Sequence, residues 1–248
     1  TLSPSSAASD VYKRQIEHCL SSLFSQTYKH FEVILFDNAS SDDTIKKASR
    51  KLASSGIKYV IVKSKRNLGP LAAWNRSIKL SKGKYIVIIN PDSTLERDWI
   101  AEAYNTFLRL KKTGQKVGLI GGVVIDTKRS LKSYGVFIDF YGWTGHAPTK
   151  DLAFAPSGAA IMLDKHVIEK IGGFDDNLFM YYDEFDVSLR IRALGYKVII
   201  NDKLKCYHEI RVRTPPPNPI GFYFLLRNKI YIMIKYWKLS WLPIALPI

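Results

Sequence analysis

The chain reads as short apolar runs bounded by turn residues, alternating with longer segments whose apolar positions recur at helical spacing. Residues 31–36 (FEVILF), 57–62 and 85–89 (YIVII) are the first three runs. Short, unbroken runs of β-branched and aromatic residues predict strands buried on both faces. Ahead of them, Ile16, Cys19, Leu20, Leu23 and Phe24 share one face of a helix over 16–26. Ser41 is placed to cap a helix that runs to about residue 53, with acids in its first turn. Pro70 opens a helix over 71–80, and Gly83 closes it. Strand, helix, strand, helix, strand predicts right-handed βαβ units and a parallel sheet.

The pattern continues with a helix over 96–110 and a strand over 117–125, broken at Gly121-Gly122. Residues 126–157 read as irregular, with strand-like pieces such as 133–140. A strand over 158–163, a helix over 182–194 capped by Gly195, and a strand over 197–200 follow. The proline cluster at 214–219 is a rigid break before an aromatic, basic helix over 221–237. Residues 1–15 carry no apolar period, and 10–15 resemble a translated library adaptor. They are expected to be a non-native or disordered leader. The domain would then span 16–213, with a tail over 214–248.

Composition narrows the class. A chain of 248 residues, 46% hydrophobic, supports a large α/β core and excludes general disorder. Its net charge of +15 calls for an anionic partner: nucleic acid, anionic lipid or a phosphorylated substrate. Cys19 and Cys206 lack CxxC spacing, which excludes a disulfide framework and a zinc site and points to a reducing compartment. No apolar run is long enough to span a bilayer.

Polar groups gather at the strand ends. Asp37, Asn67 and the Asn90-Pro91-Asp92-Ser93 turn all follow strands, along the edge where open α/β sheets bind ligands. A diphosphate there needs cationic side chains or a divalent cation, and magnesium or manganese takes one or two carboxylates plus phosphate oxygens. Residues 63–66 supply a basic loop. Asp183, Glu184 and Asp186 open the helix over 182–194, where an acid partly desolvated beside Tyr181-Tyr182 could serve as a general base. His208 could complete a metal site near Asp92. Gly158, after Pro156-Ser157, allows close approach of backbone to a ligand.

In five stretches the chain resembles the inverting, nucleotide-sugar-dependent glycosyltransferases of family 2, nearest their rhamnosyltransferase-like members. These are SLFSQTYKHFEVILFDNASSDDT, NLGPLAAWNRSI, GKYIVIINPDS, PSGAAIMLDKHVIEKIGGFDDNLFMYYDEFDVSLRIRALGYKV and the His208 region. The resemblance implies a three-layer α/β/α GT-A fold with a mostly parallel central sheet. It implies a nucleotide-sugar site formed by Asp37, Asn38, Asn67, Asn90, Ser157 and Gly158. A divalent cation (Mg or Mn) would be held by Asp92 and His208, with Glu184 as catalytic base and Asp183 and Asp186 as alternatives. The partners implied are a dTDP- or UDP-sugar and a glycan or lipid-linked acceptor, in cell-surface polysaccharide synthesis. Asn90 departs from the family's usual acid, and Asp183-Glu184 reverses its usual acid pair. The family's first strand has no counterpart, so this sequence is expected to be an N-terminally truncated fragment. Two exposed ladder edges, low stability and weak nucleotide binding would follow.

From residue 203 onward, eight Lys/Arg stand against Glu209, interleaved with Tyr and Trp. This composition predicts a segment peripheral on the inner face of the cell membrane. A nucleotidyltransferase is disfavoured because no Gly-rich phosphate loop follows the first strand. A nucleotide-sugar or nucleic-acid-binding protein without catalysis is the alternative. Nucleic acid is not the expected partner, because the aromatics concentrate in the C-terminal helix.

Overall fold

The computed structural model describes residues 6–208 and 219–245. In chain order its elements are α1 (Ser6–Phe24), β1 (Glu32–Asp37), α2 (Thr44–Ala53), β2 (Lys58–Lys63), α3 (Pro70–Leu80) and β3 (Tyr85–Ile89). Next come β4 (Thr94–Leu95), α4 (Trp99–Lys112), β5 (Val117–Asp126), β6 (Leu131–Ser133), β7 (Val136–Ile138) and β8 (Thr144–His146). The chain continues with β9 (Ala160–Asp164), α5 (Lys165–Lys170), α6 (Asp183–Ala193), β10 (Lys197–Tyr207), α7 (Pro219–Tyr236) and α8 (Leu242–Ala245).

The class is the expected α/β/α. Helices α1, α2 and α4 bury one face of the sheet, around Leu20, Leu52, Trp99 and Phe107. Helices α3, α5, α6 and α7 bury the other, around Leu71, Ile168, Ile191 and Ile232. The main sheet has the order β3-β9-β5-β10-β4, with β6 added to β5. Its pairing is more mixed than the alternation predicts. Only β10–β5 is parallel, because β9 returns antiparallel between β3 and β5. Strands β1 and β2 form a separate parallel pair. Among the described residues β1 pairs only with β2, and β3 only with β9. Each therefore keeps one edge without a strand partner among the described residues.

Several boundaries correct the sequence reading. The first helix starts at Ser6 rather than at residue 16, within the segment read from sequence as a non-native or disordered leader. Once Ile16, Cys19, Leu20 and Leu23 dock in the core, each further turn adds hydrogen bonds without a new nucleation cost. Helix α2 starts at Thr44 rather than after Ser41, with Asp43 at its cap position. The proline cluster lies mostly outside the described residues, and α7 begins at its last proline, Pro219.

Gly121-Gly122 does not break β5. A Cβ on Gly122 would lie 1.9 Å from the Leu204 carbonyl oxygen, and one on Gly121 would lie 2.4 Å from Pro156. The glycines let neighbouring chain pack directly against a continuous strand. Leu204 lies within the register break of β10 between Ile200 and Lys205. Asn201 anchors that break by donating to Glu102 (2.9 Å) and Thr106 (3.0 Å). Beyond it β10 runs on to Tyr207, well past the expected end at residue 200. Gly122→Ala is therefore expected to cost about 2–3 kcal/mol through overpacking, read as a lowered thermal midpoint with the far-ultraviolet spectrum preserved.

Candidate functional site

At the β1–β2 end, Asp37 closes its strand. Its carbonyl accepts from the Ser64 N–H (2.8 Å) and its carboxylate from the Ser40 N–H (2.9 Å). Asn38 donates to the Asn67 side chain at 2.9 Å, and its own oxygen accepts from the Leu68 N–H at 2.8 Å. Asn67 also accepts from the Gly69 N–H at 2.9 Å. The two amides thus cross-link the loops after β1 and β2 beside Asp37. The basic loop 63–66 borders them and is mostly exposed.

The second group gathers at the end of β3. The Asn90 N–H donates to the Ala159 carbonyl (3.0 Å), and the Asn90 carbonyl accepts from the Ser93 N–H (3.0 Å). That turn presents Asp92. The bulge in β10 delivers its partner: the His208 N–H donates to the Ile125 carbonyl (3.1 Å), and His208 Nε2 lies 3.2 Å from Asp92 Oδ1. Residues 116 positions apart in the chain thereby share one spot. Among the described residues no cluster of three His, Cys, Asp or Glu side chains forms a closed metal cage. A carboxylate oxygen and an imidazole nitrogen in contact suit a cation that takes its other ligands from phosphate and water. Cys19 Sγ contacts the Asn90 carbonyl at 3.6 Å. Burial pushes the Cys19 and Cys206 thiols up to about 12, so both are neutral packing groups.

The third group is the start of α6. Glu184 Oε1 accepts from the Gly158 N–H at 3.1 Å. A Cβ on Gly158 would sit 3.1 Å from that oxygen and 3.4 Å from an Asp183 oxygen, so the glycine permits this contact. Ser157 is buried and accepts from the Ala159 N–H at 3.4 Å. The Asp183 carboxyl is held well above its ordinary range, first by burial and then by the neighbouring charge of Glu184. Asp186, grouped with these two from sequence, lies in a different setting. Arg190 binds it through Nε (2.8 Å) and Nη2, Lys235 binds it at 2.8 Å, and the Tyr236 hydroxyl donates to it. This fully paired, buried carboxylate on the α7 side of the helix is thereby set apart from Glu184 and Asp183, which lie against Gly158.

The turn ahead of α6 is strained. Phe179, Tyr181 and Tyr182 have φ of 61°, 67° and 65°, a left-handed region that costs about 1–2 kcal/mol per non-glycine residue. Helix α7 holds it. The fully buried Asn228 donates to the carbonyls of Leu178 (2.8 Å), Met180 (2.6 Å) and Tyr181 (3.3 Å). Arg227 adds bonds to Asn177 and Leu178, and the Tyr182 hydroxyl donates to the Gly142 carbonyl at 2.9 Å. Sequence reading missed Asn228. Its signal was a lone amide four residues before Ile232, on the buried face of an otherwise apolar helix.

A three-layer domain of this topology, with its polar groups collected at strand ends on one side of the sheet, has the GT-A architecture. The model of the family described as "Glycosyl transferase family 2" matches residues 11–171, and the chain belongs to that family. It is 35% identical over 208 residues to the Escherichia coli UDP-Glc:alpha-D-GlcNAc-diphosphoundecaprenol beta-1,3-glucosyltransferase WfaP, covering 83% of this chain and 76% of that protein. It is 26% identical over 188 residues to the Shigella flexneri dTDP-rhamnosyl transferase RfbF, covering 68% of this chain and 61% of that one. Its fold matches the crystal structure of GalNAc-T7 with UDP, GalNAc and Mn2+ at a TM-score of 0.72 and 15% identity, over 90% of this chain and 46% of that one. The chain spans less than two thirds of the length of several curated relatives.

Asn228→Ala would leave buried carbonyls unpaired under a strained turn. It is expected to cost about 2–4 kcal/mol in denaturant melts and to lower turnover more than nucleotide affinity, because the turn supports α6 and not the Asp37 end.

Proposed function

We propose that this chain transfers a sugar, with inversion, from a dTDP- or UDP-linked donor to a hydroxyl of a glycan or lipid-linked acceptor, in cell-surface polysaccharide synthesis. One observation carries the reading. The turn that presents Asp92 is bonded through Asn90 to Ala159, and the adjacent Gly158 N–H binds Glu184. The metal-competent pair and the acid are therefore fixed to one another by two backbone contacts. The printed names of the two relatives, a UDP-glucose and a dTDP-rhamnose enzyme, support a nucleotide-sugar donor. The presence of Mn2+ together with UDP in the GalNAc-T7 structure supports a divalent cation.

Each residue then has a task. Asp37, Asn38 and Asn67 hold the nucleoside, their amides already locked into acceptor and donor positions. Asn90, Ser157 and Gly158 line the diphosphate and sugar. Asp92 and His208 would hold a Mg or Mn ion, which would neutralise charge on the departing diphosphate. Glu184 is only partly buried and takes the proton from the acceptor hydroxyl, which attacks the anomeric carbon opposite the leaving group. Asp183, disfavoured as an anion by burial and by the neighbouring charge of Glu184, stands beside it.

Glu184→Gln is expected to lower kcat by about 10²–10⁴ while UDP or dTDP binding, followed by calorimetry, stays intact. Asp92→Ala should weaken that binding in the presence of Mn2+. Near-normal transfer by Glu184→Gln would move the base to Asp183. Donor binding with no turnover under any acceptor and cation would leave the non-catalytic reading instead.

The site would work at a membrane surface. Ile220, Tyr223, Ile230 and Ile234 are exposed along one stripe of α7, and Leu239, 86% exposed, and Trp241 extend it. Lys238 lies over the Trp241 ring at 5.3 Å. Among the described residues no helix is long and apolar enough to cross a bilayer, so the stripe suits the interface plane. Co-sedimentation with vesicles containing anionic lipid should fall several-fold for the Ile234→Glu, Leu239→Glu double variant with the thermal midpoint unchanged. Equal partitioning of the two proteins would remove α7 as the docking face.

A further inference from the structure

The antiparallel hairpin β7–β8 ends in His146. Its partner strand is stitched to the segment that contacts Glu184. The Val136 N–H donates to the Ala155 carbonyl, and the Phe154 N–H to the Val136 carbonyl, each at 2.8 Å. Gly158 follows Ala155 by three residues. From the other side, β6 pairs with β5 at Val124↔Ser133, and β5 pairs with β10 at Val124↔Cys206. His208 is two residues beyond Cys206, and Ser133 contacts His146. Ser133, which the imidazole touches, therefore lies about two strand spacings, roughly 10 Å, from Cys206.

Ser133 sets the state of that ring. Its hydroxyl donates to the Gly135 carbonyl at 2.8 Å, so its proton is already committed. The 3.3 Å contact between Ser133 Oγ and His146 Nδ1 then has the imidazole as donor. The proton sits on Nδ1, and Nε2 carries the lone pair, with no hydrogen-bond partner among the described residues. The residue is exposed as a whole, yet partial desolvation of the ring lowers its pKa, opposed by Glu184 and reinforced by His208. The ring is thus neutral at pH 7. Nor is the hairpin a loose loop. Trp237 Nε1 donates to the Phe140 carbonyl at 2.9 Å, and Lys229 Nζ lies 4.2 Å from the Trp143 ring centre.

We infer that His146 forms part of the acceptor subsite, its Nε2 accepting a hydrogen bond from a sugar hydroxyl of the acceptor beside the hydroxyl that Glu184 deprotonates. The inference rests on the transferase reading. The placement of the hairpin assigns the acceptor side: Asp37, Asn38 and Asn67 cross-link the loops after β1 and β2, whereas β7, the partner of the strand that carries His146, is bonded to the 154–155 segment that leads to Gly158 and Glu184. The group is a positioning residue. It selects an acceptor with two neighbouring hydroxyls, one to react and one to be held.

The test separates acceptor from donor. His146→Ala should raise the acceptor KM about tenfold, the loss of one hydrogen bond, with UDP or dTDP affinity and acceptor-free donor hydrolysis unchanged. His146→Gln, whose amide oxygen can stand in for Nε2, should recover most of that loss. Ring-nitrogen NMR should show the Nδ1–H tautomer in the unaltered protein and a shift of the Nε2 signal when acceptor is added. An unchanged acceptor KM beside normal donor hydrolysis overturns this inference alone. So does a matching loss of nucleotide affinity. An unaltered protein that neither hydrolyses nor transfers from any nucleotide sugar overturns the transferase reading and this inference with it.

Discussion

The site depends on one buried amide. Asn228 reaches from α7 to the carbonyls of a turn whose three left-handed residues no local preference would stabilise. Its donors satisfy groups that would otherwise be buried without partners. A turn of that shape lets α6 begin with Asp183 and Glu184 pointing back toward Gly158, rather than continuing the direction of the preceding chain. Strain of this kind persists only where surrounding structure over-determines it. Here Arg227, Tyr182 and the stacked Phe179–Phe224 pair, with ring centres 4.7 Å apart, supply the rest.

Backbone proximity performs the corresponding task on the other flank. Because Gly122 carries no side chain, the Leu204 carbonyl can lie against β5, and the bulge that brings it there redirects β10. Without the bulge, β10 would leave the sheet at its expected end, and His208 would not reach Asp92. The same absence of a Cβ at Gly158 allows Glu184 to accept from its backbone. Two glycines, Gly122 and Gly158, therefore set the positions of a proposed metal ligand and a proposed base.

The legible parts of the sequence were those governed by short-range rules. The cores of β1, β2, β3 and α3 fell where apolar runs and Pro70 placed them, and Asn38 and Asn67, which follow β1 and β2, are in contact. His208 contacts Asp92 across the sheet. What escaped was governed by contacts distant in sequence. The antiparallel return of β9 cannot be read from a strand that looks like any other apolar run. The extension of β10 depends on Asn201 finding Glu102 and Thr106, about a hundred residues away. Asp186 is an acid in the first turn of α6, like Asp183 and Glu184. Only the approach of Lys235 and Tyr236 from α7 separates it from them.

That last network bears on how α7 relates to the site. Lys235 bridges Asp175 at 2.6 Å and Asp186 at 2.8 Å, and those bonds hold its ammonium charged against the desolvation it suffers. Burial would raise the Asp175 carboxyl, but hydrogen bonds from Lys235 and Tyr231 outweigh it and bring the group down to about 2. A folded value below the ordinary 3.8 means that this contribution to stability is present above that pH. It fades as pH falls toward 2. Buried ion pairs add little net stability compared with well-packed apolar residues, but they penalise every arrangement that leaves a charge unmatched. Asp175 precedes the strained turn and Asp186 follows it, so Lys235 fixes both ends of the turn to one helix while Asn228 fixes its middle. The helix with the exposed apolar stripe is therefore also the helix that sets Glu184. Any movement of α7 against a membrane surface would act on the proposed base through those three contacts, before any change reached the nucleotide end of the sheet.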